Sequence, residues 1–179
     1  MSRSFPAKML LFGEYTVLAG SQALAVPLTC WSGTWHKTSQ PSKAVLNPFL
    51  LWLKESGLAG EEAFHQMEKE FEAGWRFNAD IPVGHGVGSS GAYVAAIFDR
   101  YVKHAQEVSE EDTASRMAKM EGYFHGTSSG MDPLVSLTQK AVLKDTSGIF
   151  HVVEDPGWPA GFEVYLWDSR IDRTTSTLV

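Results

Sequence analysis

Residues 82–92, Pro-Val-Gly-His-Gly-Val-Gly-Ser-Ser-Gly-Ala, hold the densest chemistry in the chain. Gly84, Gly86 and Gly88 alternate with His85 and Val87, Ser89 and Ser90 follow, and an apolar stripe at helical spacing begins directly afterwards. Glycines let successive amide N–H groups turn inward as a concave nest. A helix start adds donors without intrahelical partners and a partial positive charge. Together these make a cradle for a polyphosphate, with serine hydroxyls where Mg²⁺ could be held. No Gly-Lys-Ser/Thr follows the glycines, so this is not a Walker A loop, and the spacing is wrong for a Rossmann fingerprint. A glycine-rich turn capping a helix also serves plain structure, and the loop by itself leaves both readings open.

Three further polar residues bear on the choice: Lys8 opening an apolar run, Glu121 in a helical stripe, and Asp132 after Gly-Thr-Ser-Ser-Gly. Phosphoryl transfer needs this inventory. Its barrier falls through positioning and charge neutralisation: amides and a metal on the phosphates, a carboxylate on the metal, a cation, and an acid group at the attacking hydroxyl. Each residue has a plainer use. Asp132 can be a helix N-cap followed by Pro133 as first helical residue. Glu121 can be a buried acid paired with an arginine, and Lys8 can be a solvated strand-edge charge. The scattered histidines lack metal-ligand spacing, so a zinc site is not expected.

The elements that must position these groups follow from periodicity. Residues 8–14, 22–28 and 30–38 read as strands, the last alternating Trp31, Gly33 and Trp35 against polar neighbours. Residues 48–56 and 61–72 read as helices, the second with Phe64, Met67 and Phe71 on one face, and 75–81 as a strand entering the glycine loop. Ser90–Gln106 reads as a helix with Tyr93, Val94, Ile97, Phe98, Tyr101 and Val102 as its stripe. The next helix starts at Ser109, and its stripe of Ala114, Met117 and Ala118 puts Glu121 on the buried face. Residues 122–130 read as loop, 131–139 as a brief helix, then two strands around a 146–148 turn and an alternating strand at 162–168.

Composition bounds the class. The chain has 179 residues, 44% hydrophobic and 20% charged, which suits one globular core. A net charge of −6 with no basic cluster argues against nucleic acid as partner. The single cysteine, Cys30, excludes an intrachain disulfide framework and fits a cytoplasmic setting. The apolar run 9–12 is too short for a signal peptide or a membrane span, so no membrane partner is expected.

Three segments, in order, resemble the GHMP kinase family. Pro6–Tyr15 (Pro-Ala-Lys-Met-Leu-Leu-Phe-Gly-Glu-Tyr) is similar to the "PGKxxLFGEH" opening of its mevalonate kinases. Ile81–Ser90 is similar to the "PxGxGLGSS" phosphate loop, and Glu121–Asp132 to "ExxxHGxPSGxD". A weaker fourth match runs from Asp168 to Thr175. The departures are Ala7 for glycine, Tyr15 for histidine, as phosphomevalonate kinases often read, His85 for a small residue, and Ser128 for proline.

The resemblance implies an α+β fold, the ribosomal protein S5 domain 2-like N-terminal domain of a GHMP kinase, with helices packed on a mixed sheet of five or six strands. It implies ATP and Mg²⁺ as cofactors and γ-phosphate transfer to a hydroxyl or phosphate of a mevalonate-like or sugar acceptor. By the family pattern Asp132 acts at the acceptor hydroxyl with Lys8 beside it. Pro82, Gly84, His85, Gly86, Val87, Gly88, Ser89 and Ser90 wrap the phosphates, and Ser90 with Glu121 holds the metal. Glu14, Tyr15, His125 and Thr175 line the acceptor side. Family members generally carry a second, C-terminal domain, so residues 1–179 resemble the N-terminal domain alone. The expected partners are the small-molecule acceptor and either that other half or a second copy. By itself the chain is expected to bind nucleotide weakly and turn over little. Two other functions stay open: a diphosphomevalonate decarboxylase-like lyase, and a non-catalytic nucleotide-binding module.

Overall fold

The computed structural model describes residues 3–39, 48–103, 110–154, 161, 163, 165 and 167. The expected strand at 162–168, the Ser109 helix start, the far end of the 90–106 helix, most of the 39–43 loop and Thr175 lie outside or largely outside these residues.

One long strand organises the sheet. The two expected strands at 22–28 and 30–38 are a single β2, Ala23–Lys37. It pairs with β1, Ser4–Phe12, along nearly its whole length. Residues 29–31 of β2 have no register partner on β1, because Ala7 pairs with Leu28 and Pro6 with Ser32. Such an insertion bends the pair and re-aims nearby side chains, and it falls just before Lys8. On the edge that β1 leaves open, β3 (Trp75–Ala79) pairs with residues 33–37 and β4 (Ala141–Lys144) with residues 23–25. β5 (Phe150–Val153) closes a hairpin onto β4. Among the described residues the sheet has five strands and every pairing is antiparallel, which corrects the mixed sheet that the resemblance implies.

The helices are α1 (Pro48–Glu55), α2 (Glu61–Glu72), α3 (Ser89–Ile97), α4 (Glu110–His125) and α5 (Met131–Thr138). α3 and α5 lie on the sheet and on each other, and α4 packs against both. α3 continues into a π-helical turn, Phe98–Val102, that periodicity did not foretell. The core fills the space between sheet and helices: Phe5, Ala25, Val94, Ile97, Phe98, Met117, Met120, Val135 and Val142 are all but sealed from solvent. Side chains of this size remove about 1.5–3 kcal/mol each from water, which is what fixes α3 and α5 against β1 and β2. No helix among the described residues is long and apolar enough to cross a membrane.

Candidate active site

Three chain segments far apart in sequence meet at the head of α3. The glycine loop arrives from β3 and is pinned to the sheet by the Lys8 N–H, which donates to the Val87 carbonyl at 2.9 Å. Gly84, Gly86 and Gly88 have φ of +81°, +72° and +79°, a left-handed region that other residues adopt only at a cost. Left-handed residues in alternation with ordinary ones turn their amides to one side, the geometry of an anion nest. The tip, residues 83–86, is exposed, and no atom stands within 4 Å of the space a Gly84 side chain would take. Val87 and Gly88 form the buried floor. Gly88 caps α3 without any side-chain cap bond, so the first-turn amides keep their capacity for an outside acceptor.

Under that floor lies an ion pair. Lys8 Nζ stands 2.9 Å from Asp132 Oδ2, and Lys8 is only 8% exposed. A side chain on Gly88 would press on Lys8 Cγ at 2.8 Å, so glycine is required for the loop to rest directly on the pair. Asp132 is brought in by α5, which crosses α3 so closely that a Gly91 side chain would meet the Asp132 backbone carbon at 2.9 Å and Pro133 N at 3.0 Å.

Glu121 completes the cluster from α4. It is 3% exposed, and its oxygens accept from two hydroxyls: Ser90 Oγ at 3.4 Å on Oε1, and Ser128 Oγ in a short bond on Oε2. Burial, and next the charge of Asp132, push its carboxyl up to about 7; Ser128, Lys8 and Ser90 pull the other way without prevailing. His125, one helical turn beyond Glu121, brings Nε2 to 2.9 Å from Ser90 Oγ. The Ser90 hydroxyl is therefore shared between Glu121 and His125.

Several sequence expectations change here. Asp132 is not the N-cap: Gly130, at φ +80°, holds that position and Asp132 sits inside the first turn, so its carboxylate is free to reach Lys8. Glu121 has no arginine among the partners described; serines hold it. Lys8 is buried and paired rather than solvated. His125 meets Ser90, on the phosphate-loop side. Glu14 and Tyr15 stand in the exposed turn after β1, and His85, at the loop tip, has Nδ1 2.9 Å from the Val83 carbonyl. Pro82 and Ser89 flank the nest, half-buried. Ser128 had been noticed only as a substitution for proline, yet it joins Glu121 to the start of α5. The signal that could have found it was a hydroxyl beside a buried acid that needs donors.

The donor set suits Mg²⁺. A carboxylate and a hydroxyl are hard oxygen ligands, and Mg²⁺ takes one or two such groups together with phosphates and waters. A buried carboxylate kept above its ordinary range, whose nearest ammonium is already engaged by Asp132, is short of positive charge. No group of three or more His, Cys, Asp or Glu side chains gathers as a metal cage among the described residues.

Comparison with known proteins finds relatives of the chain. Residues 56–140 match the family described as GHMP kinases N terminal domain. The mevalonate kinase of Thermococcus onnurineus is 29% identical, the match covering 74% of this chain and 48% of that protein. The mevalonate kinase of Methanothermobacter thermautotrophicus is 28% identical, with 81% of this chain and 50% of that protein covered. The crystal structure of the Methanococcus jannaschii mevalonate kinase superposes with a TM-score of 0.55 at 18% identity, over 86% of this chain and 56% of that one, a likeness of fold. The chain spans about half the length of the curated relatives it matches.

Proposed function

We propose that this chain, which carries a GHMP kinase N-terminal domain, serves an ATP-dependent phosphotransferase acting on a small acceptor. The nest and the head of α3 receive the β- and γ-phosphates, with the backbone amides neutralising charge that grows on the transferring group. Glu121 and Ser90 are the groups that would hold Mg²⁺, which supplies charge neutralisation to the phosphates when bound. Asp132 receives the acceptor's hydroxyl and takes its proton or fixes its lone pair toward the phosphorus. Lys8 holds the Asp132 carboxylate in place and stabilises negative charge between acceptor and phosphoryl group.

The observation that carries this reading is the Lys8–Asp132 pair, 2.9 Å apart beneath Gly88 at the mouth of the nest. A solvated strand charge and a capping aspartate would not be paired under a glycine that leaves them room. Mevalonate kinases among the relatives favour a mevalonate-like acceptor, and a sugar is the other class to test.

The test separates binding from chemistry. In the full gene product, Asp132→Asn should leave ATP affinity nearly unchanged and lower ADP formation by roughly 10²–10⁴, the usual worth of a positioned acid–base group. Undiminished turnover would remove Asp132 from the mechanism. The same assay, run against mevalonate, phosphomevalonate and common sugars with carbon dioxide release measured in parallel, identifies the acceptor. It also distinguishes a kinase from a decarboxylating lyase.

A further inference from the structure

We infer that Ser128 is a positioning residue: it aims the Glu121 carboxylate toward Ser90 and so prepares the oxygen site that completes ATP binding with a divalent cation. The inference rests on the phosphotransferase reading and names a residue that reading does not use. Ser128 Oγ donates to Glu121 Oε2 and accepts the Gly130 N–H at 3.0 Å. One hydroxyl thus donates to the buried acid of α4 and accepts from Gly130, the N-cap residue of α5. Asp132 lies two residues beyond Gly130, so a single hydroxyl ties Glu121 to the helix that delivers Asp132 to Lys8.

The bond also decides which face of the carboxylate is left for a metal. With Oε2 engaged by Ser128, Oε1 is turned to Ser90 Oγ, whose oxygen lies at the head of α3 beside the nest. A carboxylate without that tether has two free torsions near its end and many ways to face. Groups that orient a ligand in this fashion are typically worth 10–100-fold in metal affinity. Ser128 also borders a surface cavity between α1 and α4, lined by Trp52, Lys119 and Tyr123. Truncating it therefore opens onto solvent and leaves no sealed void.

Calorimetric titration of ATP, with Mg²⁺ and with chelator, into wild type, Ser128→Ala, Ser128→Thr and Glu121→Gln gives the test. Circular dichroism confirms that each variant is folded. The quantity read is the gain in ATP affinity on adding Mg²⁺. Ser128→Ala should reduce that gain about tenfold or more while leaving the affinity for metal-free ATP, measured in chelator, unchanged, and Ser128→Thr should restore it. A gain as large in Ser128→Ala as in wild type overturns the inference. So does an equal loss with and without Mg²⁺, or a threonine variant no better than alanine. Wild type showing no gain, or Glu121→Gln keeping it, refutes the phosphotransferase reading beneath. Those two arms tell the failures apart.

Discussion

Replacing Glu121 by glutamine should stabilise the fold above neutrality and at the same stroke abolish the metal-dependent gain in nucleotide binding. The carboxyl is 3% exposed, and its affinity for a proton is raised from 4.5 to about 7, mainly by burial and then by Asp132. A folded-state value above the unfolded one means that the native state binds more protons between those pH values. Stability is then fully present below about pH 4.5 and is lost as pH rises to about 7. At about 1.4 kcal/mol per pH unit, the loss comes to roughly 3 kcal/mol by pH 8. Glutamine carries no charge to bury, its amide oxygen can still accept from Ser128, and its NH₂ can donate to Ser90. For a chain of this length, roughly 3 kcal/mol raises the unfolding midpoint by about 6–12 °C. Thermal unfolding of both proteins at pH 5 and pH 8, in chelator, supplies the numbers. Only the difference between them matters, because every other carboxylate is common to both. A difference that ignores pH, or a wild type more stable at pH 8, would refute the reasoning.

Gly91→Ala should cost about 1–3 kcal/mol in chemical denaturation, because the new methyl meets main-chain atoms of Asp132 and Pro133 that cannot rotate away. Lys8→Met should cost about 1–3 kcal/mol, because it leaves the part-open Asp132 carboxylate beside Glu121 without its ammonium, and it should stop turnover. In that background the difference between glutamate and glutamine at position 121 should grow larger and level off only at a higher pH, because Lys8 holds the Glu121 carboxyl down in the native protein. Calorimetry near pH 7 in buffers of different ionisation enthalpy should show Glu121-dependent proton uptake with metal-free ATP and release with Mg²⁺. Glu121→Gln should remove both.

The local half of this site is readable from spacing, whereas the long-range half is implied only by the family resemblance. The glycine nest, the Ser90 helix start and the inward Glu121 all follow from spacing within one or two turns. The Lys8–Asp132 pair joins residues on β1 and α5, and only the α5-on-sheet packing creates it. Three boundaries misled for definable reasons. Gly122 reads as a helix stop, but α4 runs through it to His125 and ends at Gly126, φ +78°. A glycine in a helix interior costs only about 1 kcal/mol, and the burial of Met117 and Met120 on the same helix offsets that. The extra helical turn is what brings His125 to Ser90. Asp-Pro reads as cap and first residue, but Gly130 accepts the left-handed cap conformation, and the aspartate gains more from an ammonium than from capping. β2 reads as two strands parted at residue 29; in the structure the strand is continuous, and residues 29–31 are an unpaired insertion opposite Pro6 and Ala7 rather than a turn.

The charge count in the cluster connects stability to function. Two carboxylates, Glu121 and Asp132, share one ammonium, and the ammonium's close contact is with Asp132. Two serine hydroxyls offset part of the Glu121 burial cost and leave its carboxyl near 7, so the acid stands poised between its two forms at neutral pH. A polyphosphate entering the nest alone would add negative charge beside that acid and drive it to keep its proton. A cation arriving with the phosphates reverses the sign of the local field and recovers the energy spent on burial. In the proposed site, the raised proton affinity of Glu121 would therefore discriminate: it would disfavour the bare nucleotide and favour the metal complex, through differential affinity for two ligand states.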